Sequence, residues 1–348
     1  MNYFFKILAA VTILTFLAAC NEDPFNLPEK KGSTTLREYK IIYSTYENSV
    51  HNVYLSDFRS KNNVLWSDSA TVRYSPYNSQ IYLRRYSADK KHETYLYDFV
   101  EHKQLQRVLR DKSEVLWVSH IPHKNKILIL EAFDQLGKLY LADTDGIYRE
   151  LIADKCNESF ISPSPDGSKI LLVYDKYWSI LNIDGSNLQL LFPAEEANSV
   201  HWHNDSKNLI IAKQTDQNRS SIELFNTANQ TNTVLRNIDD DIILNAKIST
   251  DDKKIAFFTS DLDLYVLDIE SSNLSLIKDN PNNFLEYPEL PILEWAPNDK
   301  FILCSKFNNS VTGNAKYTGL ELINLISNKA TSILEDDIAL TAYWIKVK

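Results

Sequence analysis

The segment Ser164-Pro165-Asp166-Gly167-Ser168-Lys169-Ile170 joins a tight polar turn to the first residue of an apolar strand. Proline and glycine favour the turn, and the Ile-Leu-Leu-Val run that follows is typical of a buried strand. The same arrangement returns three more times with proline and twice without it, beginning at residues 75, 121, 203, 249 and 296. A recurring unit of this kind predicts a repeat protein in which each copy forms one small sheet.

The spacing of the copies indicates which repeat this is. The residues at the proline position are Pro76, Pro122, Pro165, Asn204, Thr250 and Pro297. They are separated by 46, 43, 39, 46 and 47 residues. About 40 to 50 residues is the length of one four-stranded blade of a β-propeller.

A second marker runs at the same period, because each repeat has a later strand that ends in aspartate or asparagine. The seven members are Asp57, Asp98, Asp143, Asp184, Asn226, Asp268 and Asn324. A short Asx side chain accepts a hydrogen bond from the backbone two or three residues on and thereby starts a hairpin turn. We therefore predict a structural role for these residues.

The sequence has seven strands that end in the Asx marker but only six of the recurring polar turns, so one blade lacks its own first strand. The segment Ala342-Tyr343-Trp344-Ile345-Lys346 repeats the alternation that precedes the other turns. The sequence therefore predicts an all-β fold, a seven-bladed β-propeller in which the C-terminal strand closes the first blade, built otherwise from residues 39 to 66. Such closure removes two open sheet edges.

These repeats resemble the TolB-type, WD-like propeller repeats, whose hallmark is an S-P-D-G turn before an apolar strand. Ser164-Pro165-Asp166-Gly167 is the full copy, and the other copies are degenerate. The resemblance implies a propeller over residues 39–348. It does not imply a function, because one fold hosts many functions.

The N-terminus ends a short apolar run with Leu17-Ala18-Ala19-Cys20. This resembles a bacterial lipoprotein signal, which implies a signal peptide over residues 1–19 and a lipid on Cys20. Residues 20–38 are polar, contain two prolines, and are expected to form a flexible tether. Asn21-Glu22-Asp23 resembles the acidic patch of some surface lipoproteins of Bacteroidota. We therefore expect a lipid-anchored protein of the cell envelope, at the outer membrane.

Charge and cysteine content exclude several partner classes. The formal net charge is −9, and no dense Lys/Arg block occurs, so nucleic acid is not an expected partner. Attachment to a membrane is expected through the lipid alone. Cys156 and Cys304 fall in repeats on opposite sides of the predicted ring, so no disulfide is expected between them. No cofactor is expected either.

The strand before each turn should line the central channel, with alternate residues facing inward. The position two before the proline position is mostly large and apolar and is expected to pack between blades. The position three before it is expected to face the channel: Arg73, Ser119, Ser162, His201, Lys247, Glu294 and Tyr343. This set could bind a polar or anionic small molecule such as a sugar acid. The simpler interpretation, which we prefer, is that any wet channel collects polar residues.

Metal and catalytic sites are weakly indicated. His201 and His203 share a face of the strand, but further ligands would have to come from His123 or Glu294, and His120 has the opposite parity. We therefore predict neither a metal site nor a catalytic residue. The aspartates at 239–241, 251–252, 261 and 263 lack the spacing of a calcium loop and are expected to be solvated turns. Tyr86, Tyr177 and Trp178 are placed near strand ends, where they could grip a sugar or a protein.

Two functions remain open at this point. The first is a non-enzymatic lipoprotein whose propeller binds a protein partner or an envelope component. The second is a carbohydrate-binding or carbohydrate-active propeller, similar to lyases of this fold, that uses the channel mouth around His201, Lys247 and Glu294.

Overall fold

The computed structural model describes residues 36–47, 50–59, 62–72, 79–86, 92–100, 103–108, 115–133, 136–216, 218–280, 291–308, 316–335 and 339–347. In these ranges the chain is almost entirely β-structure, with two short 3-10 helices at Leu36–Glu38 and Ala194–Glu196. None of the helices found there is long and apolar enough to cross a bilayer.

The first fourteen strands cover the first half of the chain. They are β1 Tyr39–Glu47, β2 Val50–Asp57, β3 Asn62–Asp68, β4 Ala70–Thr71, β5 Gln80–Tyr86, β6 His92–Asp98, β7 Lys103–Val108, β8 Val115–His120, β9 Lys126–Phe133, β10 Leu136–Asp143, β11 Arg149–Pro163, β12 Lys169–Tyr174, β13 Tyr177–Asn182 and β14 Gln189–Pro193.

The remaining strands complete the described chain. They are β15 Ala197–Trp202, β16 Asn208–Asp216, β17 Arg219–Asn226, β18 Thr231–Ile238, β19 Ile243–Ile248, β20 Lys254–Thr259, β21 Leu264–Asp268, β22 Leu274–Lys278, β23 Leu293–Trp295, β24 Phe301–Asn308, β25 Lys316–Asn324, β26 Lys329–Glu335 and β27 Ala339–Lys346.

The strands of the described ranges form five four-stranded antiparallel sheets and one seven-stranded sheet, β14-β13-β12-β11-β10-β9-β8. The long strand β11 pairs with β10 through its first half and with β12 through its second half. The seven-stranded sheet is therefore two four-stranded units that share β11. We number the units in chain order: blade 1 is β27-β1-β2-β3, blade 2 is β4–β7, blade 3 is β8–β11, blade 4 is β11–β14, blade 5 is β15–β18, blade 6 is β19–β22 and blade 7 is β23–β26.

The buried apolar residues of the described ranges fall into seven clusters, and each cluster joins two consecutive blades. One of them packs Leu303 and Leu322 of blade 7 against Ile41 and Ala342 of blade 1. Alternation along each strand explains this pattern, because its two apolar faces serve the blades on either side. The core is thus a closed ring of blade junctions, as a propeller requires.

The C-terminal strand closes blade 1 as expected. β27 pairs antiparallel with β1, from Tyr39 opposite Lys346 to Ser44 opposite Thr341. The backbone N–H of Val347 donates to the carbonyl of Glu38 over 2.7 Å. This confirms the predicted pairing of the C-terminus with the sheet built from about residue 39.

The folded part begins slightly earlier than the sequence indicated. Leu36 is buried in the junction of blades 7 and 1, inside the first 3-10 helix. Lys346 also forms an ion pair with Glu38, with Nζ and Oε2 separated by 3.2 Å. Residues 36–38 therefore belong to the propeller rather than to the tether, because an apolar side chain anchors them. Residues 1–35, with Cys20, lie outside the described ranges.

The turn of blade 4 shows why its sequence is favoured. Ser164 Oγ contacts Asp166 Oδ1 at 2.6 Å and accepts from the N–H of Lys169 at 2.9 Å. Gly167 has a φ of +67°, and a Cβ there would lie 2.3 Å from the carbonyl oxygen of Pro122 in the preceding turn. Glycine is required here by both the backbone conformation and the close approach.

Later turns use the equivalent position differently. Ser206, Asp252 and Asp299 adopt φ values of +58°, +60° and +56°. Each side chain accepts from the turn of the preceding blade: Asp166 N–H donates to Ser206 Oγ at 2.9 Å, Asn204 Nδ2 to Asp252 Oδ1 at 2.8 Å, and Thr250 N–H to Asp299 Oδ1 at 2.7 Å. These turn-to-turn links tie blades 4 to 7 together on one face of the ring.

The Asx marker has the structural role that the sequence predicted. Asp98, for example, accepts the N–H of Val100 at 2.9 Å. The same bond to a backbone N–H two or three residues on is made by Asp57, Asp184, Asn226, Asp268 and Asn324. Asp143 differs, since its carboxylate pairs with Lys126 at 2.6 Å.

Candidate functional site

Six inner strands converge on one cavity of about 330 Å³ at the centre of the ring. Five strands contribute the residue three before their proline position, and β27 contributes Tyr343 in the same register; the six residues are Ser119, Ser162, His201, Lys247, Glu294 and Tyr343. The structure thus brings together six of the seven residues expected to face the channel, and Arg73 lies outside the described ranges. We call this space the channel cavity.

Two aromatic walls of the channel cavity were not singled out from the sequence. Trp117 and Phe160 line it, each two residues before a predicted channel residue. The signal that could have found them is the same alternation, continued one step toward the start of the strand. The cavity therefore combines hydroxyls and charges with apolar ring surface, the usual composition of a small-ligand site.

Trp202 and Trp295, which were expected to pack between blades, are buried in blade junctions, whereas His120 and Pro163 of the same set line the channel cavity and Tyr74 lies outside the described ranges. Trp202 Nε1 donates to the carbonyl of Ser162 at 3.0 Å, and Trp295 Nε1 donates to the carbonyl of Lys247 at 2.9 Å. Both tryptophans thereby fasten an inner strand to the inner strand before it. These bonds fix the backbone directly behind the channel side chains.

The two charged side chains that the structure describes in the channel cavity, Lys247 and Glu294, neutralise each other. Lys247 Nζ forms an ion pair with Glu294, and both side chains are about a quarter exposed, at 26% and 22%. Lys247 was expected to offer a positive charge to an acidic ligand. Because adjacent inner strands place Glu294 beside it, its charge is already matched.

His201 is held neutral in the same wall. Burial lowers its pKa to about 3, the positive charge of Lys247 acts in the same direction, and a hydrogen bond with Asn245 opposes the shift. Its ring meets Phe160 edge-on at 5.9 Å between centroids. A histidine with so low a pKa is a poor general base near neutral pH, since an efficient base has a pKa close to the working pH.

His203 does not join His201. Strand β15 ends at Trp202, so His203 lies in the turn, where its Nδ1 is 3.3 Å from Asp205 and its Nε2 is 3.6 Å from Asp252. The expectation that both histidines share one usable face is therefore wrong, because the strand stops between them. In the described ranges no three His, Cys, Asp or Glu side chains gather as metal ligands do.

His120 also lines the channel cavity, although its parity predicted an inter-blade position. It is 7% exposed, and its ring lies 5.0 Å from that of Tyr82 in blade 2. Burial lowers the pKa of His120 to about 4. The side chain is thus both a packing residue and part of the cavity wall.

Replacing His120 with phenylalanine is expected to reduce the acid sensitivity of folding. The unfolded histidine takes up a proton near pH 6.5, whereas the folded one does so only near pH 4. The folded state binds fewer protons between these values, so His120 lowers the stability as the pH falls from 6.5 to 4. Between pH 7 and pH 4.5 the free energy of unfolding should therefore fall by about 2 kcal/mol less in His120→Phe than in the parent chain.

Urea unfolding at the two pH values measures this difference. His123→Asn is the matched control, because His123 is exposed and asparagine tolerates its positive φ of +61°. The control should keep the acid sensitivity of the parent chain. Equal losses of stability in His120→Phe and the parent would contradict the assignment.

Other candidate residues have structural explanations. Asp241 accepts from the N–H of Ile242 at 2.7 Å and from the N–H of Ser260 at 3.1 Å. Trp178 was expected near the surface but is only 7% exposed, because it packs in the junction of blades 4 and 5. Tyr177 is 40% exposed, as expected, and the side chain of Tyr86 lies outside the described part.

Cys156 and Cys304, the cysteines of the described ranges, are buried free thiols. Burial raises the pKa of Cys156 to about 12 and raises that of Cys304 well above its usual value. Thiolate is the reactive form of cysteine, so both are inert packing residues.

No family model matches the sequence, and no curated protein matches it. Solved structures do resemble the fold. TolB from Acinetobacter baumannii superposes with a TM-score of 0.51 at 15% identity, over 92% of this chain and 88% of that one. An oligogalacturonate lyase in complex with manganese gives 0.59 at 12% identity, over 83% and 91%.

A periplasmic gluconolactonase from Pseudomonas aeruginosa gives a TM-score of 0.55 at 13% identity, over 89% of this chain and 99% of that one. At such identities the likeness concerns the fold alone. Together with the strand pairing and the ring of blade junctions, it shows that the chain folds as a TolB-type β-propeller.

Proposed function

We propose that this protein is a lipid-anchored, non-enzymatic propeller of the cell envelope that binds an envelope component at the channel cavity. The observation that carries the proposal is the convergence of six inner strands on one cavity of about 330 Å³. This volume lies within the range of about 300 to 1,000 Å³ that small-molecule sites occupy.

The electrostatics favour binding over catalysis. The carboxylate of Glu294 is matched by Lys247, and the low pKa of His201 leaves it a weak base. General acid–base catalysis needs groups that exchange protons near the working pH. The described wall of the cavity offers matched charges, hydroxyls and rings, which suit an uncharged polar group such as a sugar ring or a peptide amide.

A cavity-filling variant tests the proposal. The full chain in detergent is screened on an array of bacterial envelope glycans and, after mild crosslinking of cells, for captured envelope proteins. Ser162→Leu should remove at least nine-tenths of the binding, because the added side chain occupies the cavity. Ser327→Leu is the matched control, since Ser327 lies on an exposed turn of blade 7 and donates only its backbone N–H.

Binding that persists in Ser162→Leu while the variant unfolds like the parent would contradict a role for the channel cavity. Binding lost equally in Ser327→Leu would show that the assay reports folding or aggregation rather than the site.

Carbohydrate cleavage is the second candidate function. It is favoured by the likeness to the fold of an oligogalacturonate lyase and by the position of His201 in the cavity. Incubation of the chain with oligogalacturonate and manganese, with and without His201→Ala, tests it. Turnover that depends on His201 would displace the binding proposal.

The envelope location rests on Cys20 and on the fold shared with TolB and a periplasmic gluconolactonase. Cys20→Ser is expected to move the protein from the membrane fraction to the soluble fraction. A lipoprotein cysteine carries several acyl chains, so Cys20→Ser removes the anchor that the proposal assigns to the chain. Fractionation and metabolic labelling with a fatty acid measure the change. Unaltered membrane association of Cys20→Ser, with no label in the parent, would contradict lipidation.

A further inference from the structure

A second cavity, of about 150 Å³, lies at the junction of blades 1 and 2, and we call it the side pocket. Its walls are Trp66 and Ser67 from β3, Leu83 and Arg85 from β5, and Tyr95 and Tyr97 from β6. None of these residues borders the channel cavity. A cavity of about 150 Å³ accommodates one benzene-sized ring, so the side pocket fits a single six-membered ring.

The aromatic walls of the side pocket are braced from behind. The rings of Trp66 and Tyr97 meet edge to face at 4.7 Å, and both contact Phe99, at 4.9 Å and 5.0 Å. Phe99 is 4% exposed and fixes the two rings that face the pocket. A preformed apolar wall binds a ring without the cost of ordering side chains.

Arg85 provides a positive charge at the pocket. Its guanidinium lies over the ring of Tyr95 at 5.3 Å, and the residue is exposed. It forms no ion pair with a described residue. Glu93 stands opposite Arg85 on β6, and its carboxylate already accepts from the Tyr95 hydroxyl. In a chain of formal charge −9, this is a planar cation that is stacked, oriented and open to a ligand.

The two cavities therefore differ in the charge they offer. Lys247 in the channel cavity is matched by Glu294, whereas Arg85 in the side pocket has no carboxylate partner in the described ranges. A guanidinium binds a carboxylate through two parallel N–H bonds. The side pocket thus offers an unmatched guanidinium beside an apolar wall, which the described residues of the channel cavity do not.

We propose that the side pocket binds a single carboxylated six-membered ring, with the ring against the wall formed by Trp66 and Tyr97 and the carboxylate on Arg85. Two sources share this chemistry: the uronate unit of an acidic glycan, and a free aromatic acid. The pocket forms between two blades, so an occupant also connects the first blade to the second.

Isothermal titration of the full chain in detergent distinguishes the two sources. The probes are glucuronate with glucose as its neutral counterpart, and benzoate with benzamide. The proposal expects at least one acid to bind with a Kd at least tenfold lower than that of its neutral counterpart. Glucuronate as the better acid assigns the site to a glycan, and benzoate assigns it to an aromatic acid.

Three variants locate the binding. Arg85→Gln should remove the preference for the acid, and Arg59→Gln should keep it, because Arg59 is also exposed and its guanidinium stacks on Phe58 outside the pocket. Ser67→Leu should abolish binding of acid and neutral probes alike, since Ser67 is buried in the pocket wall. Lys247→Met should change nothing, because it alters only the channel cavity.

Absence of binding by both acids would overturn the proposal, as would equal affinities for the acids and their neutral counterparts. Binding lost in Lys247→Met but kept in Arg85→Gln would also overturn it, by moving the site to the channel. Thermal unfolding of each variant identifies any that fails to fold. If Arg85→Gln fails to fold, Arg85→Lys takes its place, since lysine keeps the charge and loses the paired N–H bonds.

Discussion

Removal of residues 339–348 is expected to abolish cooperative folding of the propeller. This segment contains β27, which supplies the inner strand of blade 1 and pairs with β1 from Tyr39 to Thr45. Ala342 and Ile345 of β27 are 2% and 0% exposed, and they belong to the two junctions on either side of the blade. Their loss opens both junctions at once. Domains are stable by only roughly 5 to 15 kcal/mol, so loss of a whole strand and of both junctions removes a large share of that margin.

Circular dichroism during urea titration measures the loss, and binding of a hydrophobic dye reports the exposed junctions. A chain that ends at Val347 is the control, because it keeps every pair of the β27 ladder. A synthetic peptide of residues 339–348 should restore a cooperative transition when added to the shortened chain. A shortened chain that unfolds at the same urea concentration as the parent would contradict closure by β27.

Gly167→Ala is expected to destabilise the propeller by about 3 kcal/mol, counting backbone strain at positive φ and the displacement of a neighbour. The φ of Gly167 is +67°, and its Cβ would lie 2.3 Å from Pro122 O and 3.0 Å from Ile121 Cγ2. The atom that the new Cβ would meet is the backbone carbonyl oxygen of Pro122, which cannot rotate away, so the turns of blades 3 and 4 would have to move apart. Urea unfolding of Gly167→Ala against the parent measures the difference.

Ser206→Gly is the matched comparison, because Ser206 occupies the same position in the next turn. It should change the stability by less than about 1 kcal/mol, since relief of the positive φ offsets the lost bond from the N–H of Asp166. If Gly167→Ala proved as mild as Ser206→Gly, the close approach of the two turns would not exist in solution.

Most of the fold could be predicted from the sequence repeat. Turn spacing predicted the blades, alternation predicted which side chains enter the channel cavity, and the extra Asx marker predicted that the C-terminus pairs with β1. These features follow from short-range rules of period two and from turn chemistry. These patterns can be recognised in a single sequence because they recur in every blade.

Contacts that occur once, between side chains of different blades, could not be predicted. The ion pair of Lys247 with Glu294 joins residues 47 positions apart, and neither residue alone shows that the other matches its charge. The burial of Trp178 and of Leu36 depends on what neighbouring blades place against them. The side pocket cannot be predicted from the sequence, because Trp66 and Tyr97 belong to different blades and only their packing brings them together.

Strand β11 gives the ring a mechanical asymmetry. It runs for 15 residues, and its two halves form the outer edge of one blade and the inner edge of the next. Peeling those two blades apart means shearing ladders on both flanks of a single strand, whereas the terminal blade is held by a seam between distant parts of the chain. Under tension the ring should therefore open first where β27 meets β1, and the paired amide protons of β11 should exchange with solvent more slowly than those of β1.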